Sequence, residues 1–119
     1  MYTASCHCQA VQIEVAELTP TVTECNCSVC RRYGALWAYY TRDQVRLHAE
    51  ASTLSAYGWG DRSIEFWHCS RCGCLTHYES TDKHTRSRFA VNARMLPLEV
   101  LESLPVRHFD GAESWEYLD

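Results

Sequence analysis

Residues 66–74, FWHCSRCGC, set three cysteines within six positions, one residue after the aromatic pair Phe66 and Trp67. A Cys-x-x-Cys turn can hold two sulfurs at neighbouring corners of a zinc tetrahedron, roughly 3.8 Å apart for Zn–S bonds near 2.3 Å. Gly73 suits such a turn, because without a Cβ it tolerates positive φ. Two sulfurs are half a site, so the other half must come from elsewhere in the chain. Residues 5–8, SCHC, offer it. On an extended segment side chains alternate, and Cys6 and Cys8 would then point to one face. Together Cys6, Cys8, Cys69 and Cys72 would make a closed four-thiolate zinc site that clamps the N-terminal strand to the middle of the chain. In small metal-dependent domains such a site contributes on the order of 10 kcal/mol to folding, comparable with the whole stability of an ordinary domain.

A second cluster lies between these halves. Residues 23–37, TECNCSVCRRYGALW, carry Cys25, Cys27 and Cys30, followed by Arg31 and Arg32. Three thiolates are the pattern of a zinc that keeps its fourth position for water or substrate. Cys74, two residues beyond Cys72, could turn to complete this set, or could be a small buried hydrophobe. Another partition is chemically valid too: CNCSVC could share a thiol with CSRCGC and leave CHC to something else.

Composition narrows the class. With 119 residues the chain is expected to be one domain, 1–119, and its 46% hydrophobic content with four Trp and seven Tyr argues against disorder. The formal charge of −4 gives no electrostatic case for nucleic acid. No run approaches the roughly 18 apolar residues of a membrane helix. The opening MYTASCHCQAVQIEV has no basic n-region, so it does not read as a signal peptide and a cytoplasmic location is the default. Eight cysteines in tight clusters then point to metal rather than to a disulfide framework.

Most of the chain reads as short strands. Val11, Ile13 and Val15 alternate with polar neighbours in AVQIEVAEL, and residues 35–41, 63–69, 75–79 and 87–93 are rich in aromatic and β-branched residues. Gly58 and Gly60 mark a turn. MLPLEVLESLP spaces Leu98, Leu101 and Leu104 for a helix ending at Pro105, and a short helical turn is expected from Cys27 to Tyr33, stopped by Gly34. The fold class is mainly β with one or two short helices. Trp37, Tyr39, Phe66 and Phe89 read chiefly as core.

The segments SCHCQAV, CNCSVCRRYGALWAYY, FWHCSRCGCLTHYE, RFAVNAR and LPVRHFDGAESW together resemble the glutathione-dependent formaldehyde-activating enzyme family, which includes centromere protein V, from about residue 4 to 115. The resemblance implies a zinc-binding fold of the Mss4-like, β-tent type and two Zn2+ sites. It favours Cys6, Cys8, Cys69 and Cys72 as the structural set, and Cys25, Cys27 and Cys30 as the substrate-facing one. It also implies a carbon–sulfur lyase acting on a small thiol–carbonyl adduct such as S-hydroxymethylglutathione, with a small thiol, glutathione among them, as partner. The alternative is a non-catalytic zinc-binding or interaction module whose second cluster is closed or empty.

Other polar residues have competing readings. Arg31 and Arg32 could grip a substrate carboxylate, or balance the thiolates. Asn92 and Arg94, at alternating positions of a strand, could line a substrate pocket, or Asn92 could cap a turn. Asp110 and Gly111 most simply mark a turn. His7 and His68 suit packing beside the first cluster, and His77 is a candidate proton shuttle or fourth ligand. His48, His84 and His108 read as surface or strand residues. No Ser-His-Asp pattern, P-loop or dinucleotide fingerprint is present.

Overall fold

A computed structural model describes residues 1–81 and 87–119; His84 lies outside them. The alternation of AVQIEV produces its strand: in β2 (Gln12–Val15), Ile13 and Val15 are buried while Gln12 and Glu14 face outward. It pairs antiparallel with β1 (Tyr2–Ser5) on one side and β5 (Val45–His48) on the other, a three-stranded sheet. Glu14 and His48, directly across from Arg46 and Gln12, bring His48 Nε2 and a Glu14 carboxylate oxygen to 2.6 Å on its outer face. Burying a side chain such as Ile13, wholly inaccessible here, stabilises the fold by roughly 1.5–3 kcal/mol.

The larger sheet contains β3 (Val22–Cys25), β4 (Trp37–Tyr40), β6 (Leu54–Tyr57), β7 (Ile64–Cys69), β8 (Leu75–Ser80), β9 (Phe89–Asn92), β10 (Val106–Asp110) and β11 (Glu116–Tyr117). Its order is β11-β10-β3-β4-β9-β8-β7-β6. Every pairing is antiparallel except that of β10 with β3, which runs parallel and sets Phe109 beside Cys25.

The central strands β4 and β9 divide the apolar side chains between two clusters. Ala38, Phe89 and Val91 join Val11, Ile13, Val15 and Val22 in the larger core. Trp37 and Ala90, displaced by one position, pack with Phe66, Tyr78, Cys25 and Cys30 on the other face. This is the period-2 rule acting on two neighbouring strands. The larger sheet is thus apolar on both sides, and the second face carries the second cysteine cluster.

The helices are short. α1 (Cys30–Tyr33) ends at Gly34, whose φ of 66° is the left-handed conformation glycine accepts without Cβ strain. Before it, Cys27 is a bend and residues 28–29 a turn, so the helix is shorter than the Cys27–Tyr33 expectation. α2 (Leu98–Glu102) falls inside the predicted helical segment, but Leu98 is 66% exposed while Val100, Leu101 and Leu104 pack on the core. Among the described residues no helix is long and apolar enough to cross a membrane.

Candidate metal centre and its cleft

The first cluster forms where two turns meet. Cys6 and Cys8 follow β1, while Cys69 ends β7 and Cys72 lies in the turn after it, so the cluster joins the small sheet to the large one. The sulfurs of Cys6 and Cys8 are 3.7 Å apart, and those of Cys8 and Cys69 3.6 Å. Such spacings match adjacent corners of a tetrahedral thiolate site and far exceed a disulfide bond of about 2.05 Å. All eight cysteines are free thiols. The donor set therefore fits zinc.

The backbone reaches this arrangement by a route other than the expected extended Cys-x-Cys. Residues 6–9 form a turn, with the Gln9 N–H donating to the Cys6 carbonyl and Gln9 itself at φ 68°. The second half follows expectation. Gly73 takes φ 80°, and the N–H groups of Arg71 and Cys72 point at the Cys69 sulfur, 3.4 and 3.5 Å away. The Val11 N–H similarly points at the Cys6 sulfur at 3.3 Å. Backbone donors lower the cost of thiolate charge there; they are the main cause holding Cys72 down at about 6, with Cys8 and Cys74 supplying them.

The second cluster contains Cys25, Cys27 and Cys30, their sulfurs within 4.8 Å of one another. Cys25 ends β3, Cys27 lies in the following bend and Cys30 opens α1. The Cys30 N–H points at the Cys27 sulfur at 3.4 Å, and the indole Nε1–H of Trp37 donates to the Cys30 sulfur at 3.4 Å. The hydrogen bond from Cys30 leads the causes that lower Cys25 to about 6, helped by the Cys27 and Gly111 N–H groups; the same pairing pushes Cys30 upward. The chain thus favours negative charge on the Cys25 sulfur before any metal is considered.

Gly111 bears directly on this cluster. A Cβ placed there would lie 2.8 Å from the Cys25 sulfur and 3.1 Å from the Cys27 Cβ. The 110–114 turn is fastened by Asn26, whose Nδ2 donates to Asp110 and whose Oδ1 accepts from the Ala112 N–H, both within 3.0 Å. Asp110 also accepts from the Ser114 N–H and hydroxyl. These hydrogen bonds, Asn26 first, hold its carboxyl below the usual range. The turn reading of Asp110 and Gly111 stands, with a packing role added that sequence did not reveal. Its signal is absent from local sequence, since the contact depends on the parallel β3–β10 pairing.

Cys74 sits beside the first cluster, not the second. Its thiol approaches the Leu75 carbonyl and its side chain packs on the larger core, while burial, then the nearby Cys72 sulfur, pushes its pKa up. Among the described residues no fourth Cys, His, Asp or Glu joins Cys25, Cys27 and Cys30.

The second cluster opens onto a cleft of about 980 Å³. Arg31 lines it, whereas the exposed Arg32 bonds the Ser28 carbonyl at 2.7 Å and borders a smaller hollow. Asn92 and Arg94 do not line the cleft. Asn92 is buried, its Nδ2 donating to the Leu75 carbonyl and its Oδ1 accepting the Arg94 N–H, which is the capping alternative. Strand β9 ends at Asn92, so Arg94 falls in a short 3₁₀ turn and reaches the Gly34 carbonyl instead. The shared face expected for the pair does not form.

His77 is also placed elsewhere. It is buried in parallel stacking between Trp67 and Phe89, with Nδ1 2.8 Å from the Thr76 hydroxyl, so it is a core residue rather than a shuttle. Trp37, Phe66 and Phe89 are core as read; Tyr39 is the exception, half-buried on the cleft wall. Arg88, Trp59 and Trp115 also line the cleft; Arg88 and Trp115 stand at the ends of the RFAVNAR and LPVRHFDGAESW segments, but the sequence reading gives none of the three a role.

Residues 1–100 match the family model described as glutathione-dependent formaldehyde-activating enzyme. A Rhodobacter sphaeroides protein of known crystal structure is 33% identical at a TM-score of 0.70, with 87% of this chain and 98% of that one covered. Spanning most of the sequence, these likenesses agree with the two sheets and the cysteine clusters, and the chain belongs to the glutathione-dependent formaldehyde-activating enzyme family.

Proposed function

We propose that Cys25, Cys27 and Cys30 form the reaction centre of a zinc-dependent carbon–sulfur lyase acting on a small thiol–carbonyl adduct, of which S-hydroxymethylglutathione is the type. One observation carries this reading: the second cluster presents three sulfurs, not four, beside a cleft large enough for such an adduct. Cys6, Cys8, Cys69 and Cys72 would hold the structural zinc. At the second site a bound zinc stabilises a thiol as its thiolate near neutral pH.

The reaction is balanced without an oxidant. In the forward direction a sulfur–carbon bond forms, the carbonyl π pair moves to oxygen, and the proton lost by the thiol ends on that oxygen. Cleavage reverses each change. The chain's residues serve positioning and proton supply. Trp37 and the Cys30 N–H fix the sulfurs of Cys30 and Cys27, and Gly111 lets the 110–114 turn close over them. Tyr39 and Tyr78 stand on the cleft wall, and burial keeps both hydroxyls protonated well past neutrality. Their rings meet edge-on at 6.4 Å, so both protonated hydroxyls belong to one stretch of the cleft wall, from which a proton can be supplied to an oxygen in the cleft.

Exchange between formaldehyde and glutathione, followed by NMR on zinc-loaded protein, tests the reading. Acceleration of at least about tenfold over the uncatalysed exchange, abolished by Cys27→Ser, is expected. No acceleration with glutathione or other small thiols would overturn it.

A further inference from the structure

The cleft is far more aromatic than a hydroxymethyl group requires. Trp115 is the clearest case. It is 70% exposed, yet its backbone sits at φ 59°, a left-handed conformation that a bulky side chain adopts only under strain. The turn holds it there: the Trp115 N–H donates to the Asp110 carbonyl at 2.7 Å. The consequence is position. Its ring lies 3.5 Å from where a Cβ on Gly111 would stand, a point itself 2.8 Å from the Cys25 sulfur. An exposed indole is therefore held, at conformational cost, next to the open cluster. Trp59, 47% exposed on the β6–β7 turn, lines the same cleft.

Arg88 is the second feature. Its guanidinium lies over the Tyr39 ring at 4.5 Å; that ring meets Tyr78 edge-on at 6.4 Å, and Tyr78 packs edge-on against Trp37 at 4.8 Å. Trp37 in turn donates to the Cys30 sulfur. Arg88 and the sulfurs thus share one aromatic wall. It is half-buried, and among the described residues no carboxylate pairs with it. Asp61, the acid on the rim, accepts from the Ser63 N–H. A partly desolvated guanidinium framed by aromatic rings is a receptor for a planar carboxylate.

We propose that the cleft takes a thiol adduct bearing both a carboxylate and a flat apolar group, Arg88 receiving the carboxylate and Trp115 stacking the apolar group beside the sulfur cluster. This rests on the lyase reading above and deepens it by ranking substrates: aryl-substituted mercapto acids are preferred over purely aliphatic thiols, glutathione included, which still react. Trp115 and Arg88 are specificity residues in this scheme.

The probes are 2-mercapto-3-phenylpropionate, its primary amide, and 3-mercaptopropionate, with binding to zinc-loaded protein measured by calorimetry. Wild type is expected to bind the first about tenfold or more tighter than either of the others, the scale of one charge-assisted hydrogen bond or one aromatic stack. Arg88→Gln should erase the preference for acid over amide, and Trp115→Gly the preference for the phenyl group. Glycine accepts the left-handed backbone, so the turn survives that change, and the wild-type probe comparison needs no variant at all. Equal affinity for all three probes would overturn the proposal while leaving the lyase reading in place. Failure of any thiol to bind would overturn both.

Discussion

Single atoms decide whether the second cluster exists. The hydrogen of Gly111 faces the Cys25 sulfur, and a methyl group there would sit at 2.8 Å, below any normal contact. Gly111→Ala should therefore displace Cys25 and lower the zinc count of the purified protein by one, as read by native mass spectrometry, while the first cluster keeps its metal. An unchanged count would show that the turn shifts without disturbing the sulfurs. Trp37 tests the second contact. Trp37→Phe keeps an aromatic ring but removes the Nε1–H bond to Cys30, and partners behind metal ligands are commonly worth 10–100-fold in affinity. Zinc affinity of the second site alone should fall within that range in a chelator competition. The cysteines themselves were plain in the sequence; their supports were not, because a glycine's missing Cβ matters only where another segment crosses it.

At the level of elements, strands with strong alternation were legible and those made by partners were not. Val11, Ile13 and Val15 identified β2, and Gly34 and Gly73 the turns they occupy. β3, β6 and β10 carry no comparable pattern: VTEC, LSAY and VRHFD are short and mixed, and long-range pairing supplies their order. The helix spacing of Leu98, Leu101 and Leu104 found α2 but misjudged its buried face, since a five-residue helix completes little more than one turn. The C-terminal edge carries its own pH signature. The Asp119 carboxylate, 2.7 Å from His108 Nδ1, raises the His108 pKa above its usual 6.5, and Asp119 is lowered from 3.8 by the same bond. The pair supports β10 fully between those ordinary values. Its contribution is lost as pH rises through the raised His108 value, and as pH falls through the lowered Asp119 value. Asp119→Asn should return the His108 midpoint towards 6.5 in an NMR titration; an unmoved midpoint would show that the contact does not form in solution.

For the whole molecule, the first cluster is the joint between two sheets, and a buried histidine sets an acid limit. Cys69→Ser leaves three sulfurs at that joint, and the loss of metal-linked folding energy should abolish the cooperative thermal transition seen by circular dichroism. A retained transition would mean that the apolar core suffices. His77, stacked between Trp67 and Phe89, is held by burial at about 3, well below 6.5. The unfolded chain binds that proton over the intervening range and the folded chain does not, so stability falls as pH drops from about 6.5 towards 3, by up to about 1.4 kcal/mol per unit. His77→Phe should flatten this slope relative to wild type in urea titrations at several pH values, and an equal slope would place the acid sensitivity elsewhere. Function depends on the contrast between a closed four-sulfur joint and an open three-sulfur site. Cobalt in place of zinc reports that contrast directly, through the sulfur-to-metal absorption of protein titrated with a small thiol. A band that shifts and saturates at one thiol per chain is expected of an open second site. A spectrum indifferent to thiol would contradict it.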